Sequence, residues 1–110
     1  MLTFETFQQV DIRVGTIVQV EPFPKARQPA YKVWVDFGEA LGTLKSSAQI
    51  TTHYTPETLV GKQVLGCVNL GEKNIAGFVS QFLLLGLSHP DGGIILVTPE
   101  DPVNNGERLH

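Results

Sequence analysis

Asp11-Ile-Arg-Val-Gly15-Thr-Ile-Val-Gln-Val20 decides the fold, and the proline-broken segment Glu21-Pro-Phe-Pro-Lys-Ala-Arg-Gln-Pro29 follows it directly. The β-branched residues of the first stretch suit a pleated, half-buried strand. Its apolar alternation slips by one residue at Gly15, as expected where a strand bends sharply or carries a bulge. The two stretches therefore predict a long, bent strand that runs into a basic loop, as in a small barrel.

Further strands follow along the chain. Residues 31–37 alternate cleanly, with Tyr31, Val33, Val35 and Phe37 on one face. The other face carries Lys32, Trp34 and Asp36. The remaining pattern predicts an all-β fold with strands over residues 44–50, 63–70, 78–85 and 94–97, and short helices that begin at Thr3 and Thr55.

Several motifs resemble the tRNA-binding domain superfamily in order and spacing. The first is D-I-R-V-G-x-I, followed by Glu21, Pro24 and Ala26. The others are Val35-Asp-Phe-Gly38, Tyr54-x-Pro-Glu-x-Leu-Val-Gly-Lys62, Val68-Asn-Leu70 and Ile75-Ala-Gly-x-x-Ser80. Within the superfamily, Ser46-Ser-Ala-Gln-Ile-Thr51 is similar to the CsaA branch, whose members are small proteins implicated as export-related chaperones.

The resemblance implies a five-stranded OB-fold barrel with a short helix between strands 3 and 4. It also implies an amino-terminal helix and a carboxy-terminal strand as extensions. We expect a single domain over residues 1–110, with 1–9 and 90–110 as dimerisation extensions of an isologous homodimer. The apolar groups that we assign to this interface are Phe4, Phe7, Ile94, Ile95 and Val97.

Length and composition favour one globular domain. The chain has 110 residues, of which 42% are apolar and 17% charged. Its longest apolar run, residues 82–85, is far short of the roughly 20 residues that span a bilayer. The amino terminus lacks a basic-then-apolar signal pattern, so we expect a cytoplasmic protein without membrane insertion. Cys67 is the only cysteine and is expected to be a buried, inert thiol.

The sequence offers no constellation for catalysis. His53, His89 and His110 lie far apart and share no metal-ligand spacing, so we expect solvated or hydrogen-bonded surface histidines. Ser46 and Ser47 lie outside any G-x-S-x-G elbow and have no paired base. We therefore predict no enzyme activity, no catalytic residue, no metal and no cofactor.

Basic residues gather where an OB-fold binds oligonucleotides. Lys25, Arg27 and Lys32 belong to the first hairpin, Lys45 adjoins Ser46 and Ser47 on the third strand, and Lys73-Asn74 precedes the fifth. Trp34 is expected to stack a base or to cover the barrel flank or a dimer contact. The net charge of −3 and the acid Glu72 beside Lys73 predict modest tRNA affinity.

Three polar residues near the fifth strand have open alternatives. If Phe78, Phe82 and Leu84 face the core, Ser80 shares their face, so Ser80 is either a ligand contact or a buried hydroxyl bonded to backbone. Gln81 is predicted to face outward, where its amide could bond a base edge or an extended peptide. Asn69 is either a functional amide or the residue that closes the turn before Gly71.

Two binding functions remain. The CsaA resemblance implies a chaperone that binds tRNA, unfolded polypeptide or preprotein, or both, through the OB-fold face. The alternative is a module that captures tRNA without chaperone activity. Polypeptide binding requires an exposed apolar patch, for which the candidates are Trp34, Val79 and Leu83.

Overall fold

The computed structural model describes all 110 residues of the chain. Its helices are α1 (Phe4–Gln8) and α2 (Pro56–Leu59). Its strands are β1 (Ile12–Pro22), β2 (Tyr31–Asp36), β3 (Thr43–Ala48), β4 (Gln63–Cys67), β5 (Lys73–Ile75), β6 (Phe78–Ser80), β7 (Leu83–Leu84), β8 (Gly86–Ser88) and β9 (Ile94–Leu96). Five of the strands form one antiparallel sheet in the order β3-β2-β1-β4-β7, and β5–β6 and β8–β9 are separate hairpins. The predicted all-β, OB-like barrel with a helix between the third and fourth strands is confirmed.

β1 changes its partner along its length. Residues 12–16 pair with β4, and residues 16–22 pair with β2. Gly15 lies next to this change, and a Cβ atom placed on it would lie 2.4 Å from Val35 Cγ1 and 2.8 Å from the carbonyl oxygen of Asp36. The absence of a side chain at Gly15 therefore permits the close approach of β1 and β2.

The bulge in β1 lies three residues beyond the predicted position. Ile17 pairs with Val35 and Gln19 pairs with Trp34, so Val18 is the extra residue. Ile17 is fully buried whereas Val18 is 47% exposed. A bulge at Gly15 was therefore wrong, because the sequence pattern does not distinguish the exposed Val18 from a buried valine; the alternative of a sharp bend at Gly15 stays a prediction.

The barrel closes between β3 and residues 80–82. The Gln81 backbone N–H donates to the Lys45 carbonyl at 2.8 Å, and the Lys45 N–H donates back to the Gln81 side-chain oxygen at 3.0 Å. Inside the barrel, the Ser46 hydroxyl donates to the Phe82 carbonyl at 2.6 Å. These contacts interrupt the predicted strand 78–85, which is divided into β6 and β7. We call this contact between β3 and residues 80–82 the seam. The Gln81 side chain supplies a hydrogen bond there, where the backbone ladder is irregular.

The core is formed by alternate residues of the sheet together with one residue of α2. On β2, Val33 and Val35 are fully buried and the intervening Trp34 is half-buried, which confirms the predicted alternation. Leu59 of α2 is also fully buried and closes one end of the barrel. The cluster consists of Ile17, Val33, Val35, Phe37, Ile50, Leu59, Val64, Phe82 and Leu96.

The carboxy-terminal hairpin packs on the chain's own barrel. Leu96 of β9 belongs to the core cluster, and Ile94 packs against that cluster. Ile94 thus lies partly against the barrel of its own chain and stays partly exposed, so its assignment to a dimer interface stays a prediction.

Both predicted helix caps are present. The Thr3 hydroxyl accepts from the Thr6 N–H at the start of α1, and Thr55 and Thr58 form a reciprocal capping box at α2. α1 buries none of its residues, and its Phe4 is 70% exposed. Cys67 is 3% exposed and unpaired, as predicted. Neither helix has the length or hydropathy to span a membrane.

Candidate nucleic-acid interface

The outer face of β2 and β3 brings four of the predicted site residues together. In the antiparallel register Lys32 lies opposite Ser47 and Trp34 opposite Lys45, and directly opposed residues point to the same side of a sheet. Since Val33 and Val35 point inward, these four side chains lie on the outer side. We call this surface, defined by Lys32, Trp34, Lys45 and Ser47, the outer face.

The β5–β6 hairpin folds over the outer face. Its two turn residues, Ala76 and Gly77, have φ values of 49° and 84°, and the Asn74 side-chain oxygen accepts from the Gly77 N–H at 2.9 Å. Positive φ at both central positions is typical of a tight type I′ hairpin turn. The predicted site residue Asn74 therefore closes this turn.

Phe78 at the start of β6 lies over the outer face. Its ring centroid is 5.8 Å from that of Trp34 and 5.6 Å from that of Phe23, both in edge-to-face geometry. We had placed Phe78 on the core face with Ser80, which was wrong because the seam at residues 80–82 changes the direction of the chain. Phe23, from the proline-flanked loop after β1, is only 4% exposed. Phe78 and Phe23 thus buttress the indole of Trp34.

Two lysines of the outer face lie against this aromatic cluster. The Nζ atoms of Lys32 and Lys45 are both 5.0 Å from the Phe78 ring centroid, and Lys32 Nζ is also 5.0 Å from that of Phe23. An ammonium group over a ring face is attracted by the negative face of the ring. The rings hold both charges on the outer face without neutralising them.

Five cations surrounding the outer face have no acidic partner. The salt bridges of the chain join Asp11 to Arg13 and to Arg108, and His89 to Asp91. Positive charge is therefore left free on the outer face and on the loops beside it. The free cations are Lys25, Arg27, Lys32, Lys45 and Lys73.

The paired arginines contribute to structure elsewhere. Arg13 Nε donates to the Asp11 carboxylate at 2.6 Å, and its Nη1 donates to the Gly106 carbonyl at 3.0 Å. The hydrogen bond from Arg13 lowers the pKa of Asp11 below its usual value, against the opposing effect of burial. Arg108 adds a second positive charge at 3.6 Å. These two arginines tie the two ends of the chain to β1.

A cleft of about 870 Å³ runs beside the outer face. One wall is the loop between β1 and β2, which contributes Lys25 and Arg27. The other wall is apolar and includes Ile75, Leu84 and Leu83, of which Leu83 is 51% exposed. The cleft thus has a basic side and an apolar side.

The serines divide between the barrel interior and its rim. Ser46 is 2% exposed and bonds the Phe82 carbonyl, so it faces the interior and cannot contact a ligand on the outer face. Ser80 is 8% exposed, and its oxygen accepts from the Ser47 N–H at 3.1 Å. This confirms the buried-hydroxyl alternative for Ser80. Only Ser47 of the predicted serines lies on the outer face.

Two predicted amides are used by the fold. Gln81 turns toward β3 to accept from Lys45, so the prediction that it faces outward was wrong. Asn69 accepts from the Asp11 N–H at 3.0 Å and donates to the Gln9 carbonyl at 2.7 Å. Neither alternative for Asn69 anticipated this role, because its partners are about sixty positions away along the chain.

Two histidines that are distant in sequence lie against each other. The rings of His53 and His89 have centroids 4.5 Å apart and are tilted by 40°. His53 Nε2 lies 2.7 Å from the Gly92 carbonyl oxygen, and His89 Nδ1 accepts from the Asp91 N–H at 3.0 Å. They are hydrogen-bonded surface histidines, as predicted, but their contact was missed. No three His, Cys, Asp or Glu side chains lie together as metal ligands.

Residues 12–108 match the model of the family described as "Putative tRNA binding domain". The chain belongs to this tRNA-binding domain family. Its fold is similar to the CsaA chaperone from Bacillus anthracis, at TM-score 0.93 and 42% identity over 100% of this chain and 99% of that one. It is equally similar to the CsaA chaperone from Picrophilus torridus, at TM-score 0.93 and 39% identity over the whole of both chains.

The family also occurs within larger proteins. Over 108 residues, 98% of this chain, the sequence is 42% identical to the methionine–tRNA ligase of Chlorobium chlorochromatii. It covers 15% of that ligase and 16% of the similar ligase of Parabacteroides distasonis. The chain therefore spans about one sixth of the length of the curated relatives that it matches.

Proposed function

We propose that this tRNA-binding domain binds tRNA through the outer face and the basic side of the cleft. The observation that carries the proposal is the group of five cations without acidic partners around one surface. Phosphates are bound by such free cations, and bases stack on aromatic rings. The half-buried Trp34, supported by Phe78, is the stacking candidate.

The distribution of charge supports this proposal despite the net charge of −3. Most of the 11 acids lie outside the outer face and its loops. Three acids border it. Glu21 lies opposite Lys32, Asp36 shares the outward side of β2 with Trp34, and Glu72 precedes β5. The electrostatic potential at the outer face is thus positive, but the neighbouring acids limit it, which favours moderate affinity for tRNA.

A limited number of phosphate contacts sets the salt dependence. If all five cations bind phosphates, the slope of log K against log salt is about −3.5 for a single strand and about −4.5 for a duplex. We therefore expect binding that is measurable at low salt and clearly weaker at moderate salt.

The test is a tRNA titration followed by fluorescence anisotropy at low and moderate salt. The variant Lys25→Ala/Lys45→Ala should bind at least tenfold more weakly at low salt and show a shallower slope, by about 1.4–1.8. Lys62→Ala, which removes a lysine outside this group, is the matched control and should bind like the wild type. Absence of saturable binding by the wild type, or an unchanged double variant, would contradict the proposal.

Polypeptide binding is a second candidate function. The observation that favours it is the apolar side of the cleft, with Leu83 51% exposed beside Ile75. Two CsaA chaperones of solved structure are similar to this chain over its whole length. In this reading an extended segment of an unfolded protein or preprotein lies along the cleft, and the chain acts as an export-related chaperone without enzymatic activity.

Salt separates the two functions, because phosphate binding weakens at high salt whereas apolar contacts hold or strengthen. An unfolded model polypeptide added to the tRNA complex should displace the RNA if both ligands share the cleft. Leu83→Ser should weaken polypeptide binding at high salt more than tRNA binding at low salt. If polypeptide binding fails in every condition while tRNA binds, the domain is a tRNA-capturing module alone.

We also propose a homodimer formed through α1. Phe4 is 70% exposed, and it lines a small groove with Phe7, Val10 and Leu109. An isologous contact between two copies would cover these groups. Sedimentation of the wild type at increasing concentration should show a dimer, and Phe4→Ser should shift the protein to monomer. A monomeric wild type would contradict this assembly.

A further inference from the structure

A smaller chamber of about 440 Å³ adjoins the cleft. Its walls are the loop before β2, the segment after β3 and the β8–β9 hairpin, and only one of its lining residues is hydrophobic. We call it the polar chamber; its polar side chains are Gln28, Gln49, Thr51, Thr52, Ser88 and His89. The volume lies within the range of ordinary small-ligand pockets, roughly 300–1,000 Å³.

The side-chain amides of the polar chamber, those of Gln28 and Gln49, make no hydrogen bond within the chain and are free to bind a ligand. The side-chain hydrogen bonds around it join His53 to the Gly92 carbonyl and the Asp91 N–H to His89, and neither involves Gln28 or Gln49. Both glutamines are exposed at its rim. A side-chain amide presents a donor and an acceptor side by side, which matches the edge of a nucleobase.

The chamber is preformed. The His53–His89 ring contact and the hydrogen bond from His53 to Gly92 pin the β8–β9 hairpin to the segment after β3. Gly93 permits this approach, since a Cβ atom there would lie 2.7 Å from Thr52 Cβ. A ligand therefore meets two of the three walls already held together, which limits the ordering cost of binding.

The polar chamber continues the basic cleft. Gln28, Gln49 and Ile94 line both cavities, so a chain bound in one can enter the other. Lys25 and Arg27 line the cleft, but no lysine or arginine lines the chamber. Its titratable neighbours are His89, the exposed Asp91 and His53, which contacts His89 and Gly92. Phosphates are thus favoured in the cleft and the uncharged part of a nucleotide in the chamber.

We propose that the polar chamber holds the base of an unpaired nucleotide whose flanking phosphates bind Lys25 and Arg27. This inference rests on the proposed RNA-binding function and specifies its substrate as single-stranded segments. A base inside a duplex cannot leave its stack without an energetic cost, whereas an unpaired base can enter a pocket freely. The nearly complete lack of apolar lining favours a base over an apolar peptide side chain.

The experiment compares two RNA probes of equal length, a single-stranded oligoribonucleotide and a blunt-ended duplex, by fluorescence anisotropy. Gln28→Ala/Gln49→Ala should weaken single-strand binding about tenfold and leave duplex binding unchanged. Lys25→Ala/Lys45→Ala should weaken both. Gln9→Ala removes an exposed amide that lines neither cavity nor the groove at α1, and it should change the binding of neither RNA.

The outcomes separate the two proposals. If the wild type binds neither RNA, the RNA-binding function fails and this inference fails with it. If the wild type binds both RNAs and the glutamine variant binds them like the wild type, or weakens both equally, only the chamber assignment is overturned. The assignment is also overturned if the glutamine variant loses binding to unfolded polypeptide and keeps single-strand binding. As a second readout, the side-chain amide NMR signals of Gln28 and Gln49 should shift with single-stranded RNA and not with the duplex.

Discussion

Replacing Phe78 by alanine tests whether the aromatic cluster holds the β5–β6 hairpin on the outer face. Phe78 makes two edge-to-face ring contacts, at 5.6 Å and 5.8 Å. Each such pair contributes about 0.5–1.5 kcal/mol beyond burial. Burial of half of a phenylalanine side chain adds about 1–1.5 kcal/mol. The free energy of unfolding should therefore fall by about 2–4 kcal/mol in Phe78→Ala.

The assay is urea unfolding followed by tryptophan fluorescence. Trp34 is the only tryptophan and lies in the cluster, so its emission reports on this contact as well as on global unfolding. With an m value of roughly 2 kcal/mol per M, the midpoint should fall by about 1–2 M. Leu70→Ala removes a side chain that is 65% exposed and should change the free energy by less than about 0.5 kcal/mol.

A loss smaller than about 1 kcal/mol in Phe78→Ala, or one equal to that of Leu70→Ala, would refute the reasoning. A functional consequence follows from the same contacts. Without Phe78, the ammonium group of Lys45 would lose its ring contact at 5.0 Å, and that of Lys32 would keep only the contact with Phe23. We therefore expect weaker tRNA binding by Phe78→Ala under conditions in which the variant is still folded.

Three further changes test the rest of the fold. Gly15→Ala should lower the free energy of unfolding by about 1–3 kcal/mol in chemical denaturation, because the new methyl group would lie 2.4–2.9 Å from atoms of residues 35–37. An unchanged midpoint would contradict the close approach of β1 and β2. Gln81→Leu should cost about 1–3 kcal/mol by leaving the Lys45 N–H without its acceptor, whereas Gln81→Glu keeps that acceptor and should unfold closer to the wild type in thermal melts. The lowered pKa of Asp11 stabilises the folded state at pH values above the ordinary 3.8, and this stability is lost as the pH falls through the lower folded value. Unfolding measured from about pH 5 down to about pH 2 should therefore show a shallower acid loss for Asp11→Asn, and parallel curves would contradict this.

The strands could be predicted from local patterns of burial, and the resemblance to the tRNA-binding domain superfamily implied that they form a five-stranded barrel. The alternation over residues 31–37 reports which side chains are buried, and Thr3 and Thr55 begin their helices through bonds made three residues away. The basic residues were also found: Lys25, Arg27 and Lys32 form a run without acids in the sequence and have no salt bridge in the structure.

The sequence by itself determined the all-β class, the helix caps, the inward face of β2 and the positions of the free cations, because each depends on neighbours within a few residues. Only the tertiary structure decided that Phe78 covers Trp34, that Gln81 closes the barrel and that His53 meets His89. Those contacts join residues about 36 to 44 positions apart in the chain. Which residues meet there depends on how the seam and the hairpins pack, and no local pattern of polarity predicts that packing.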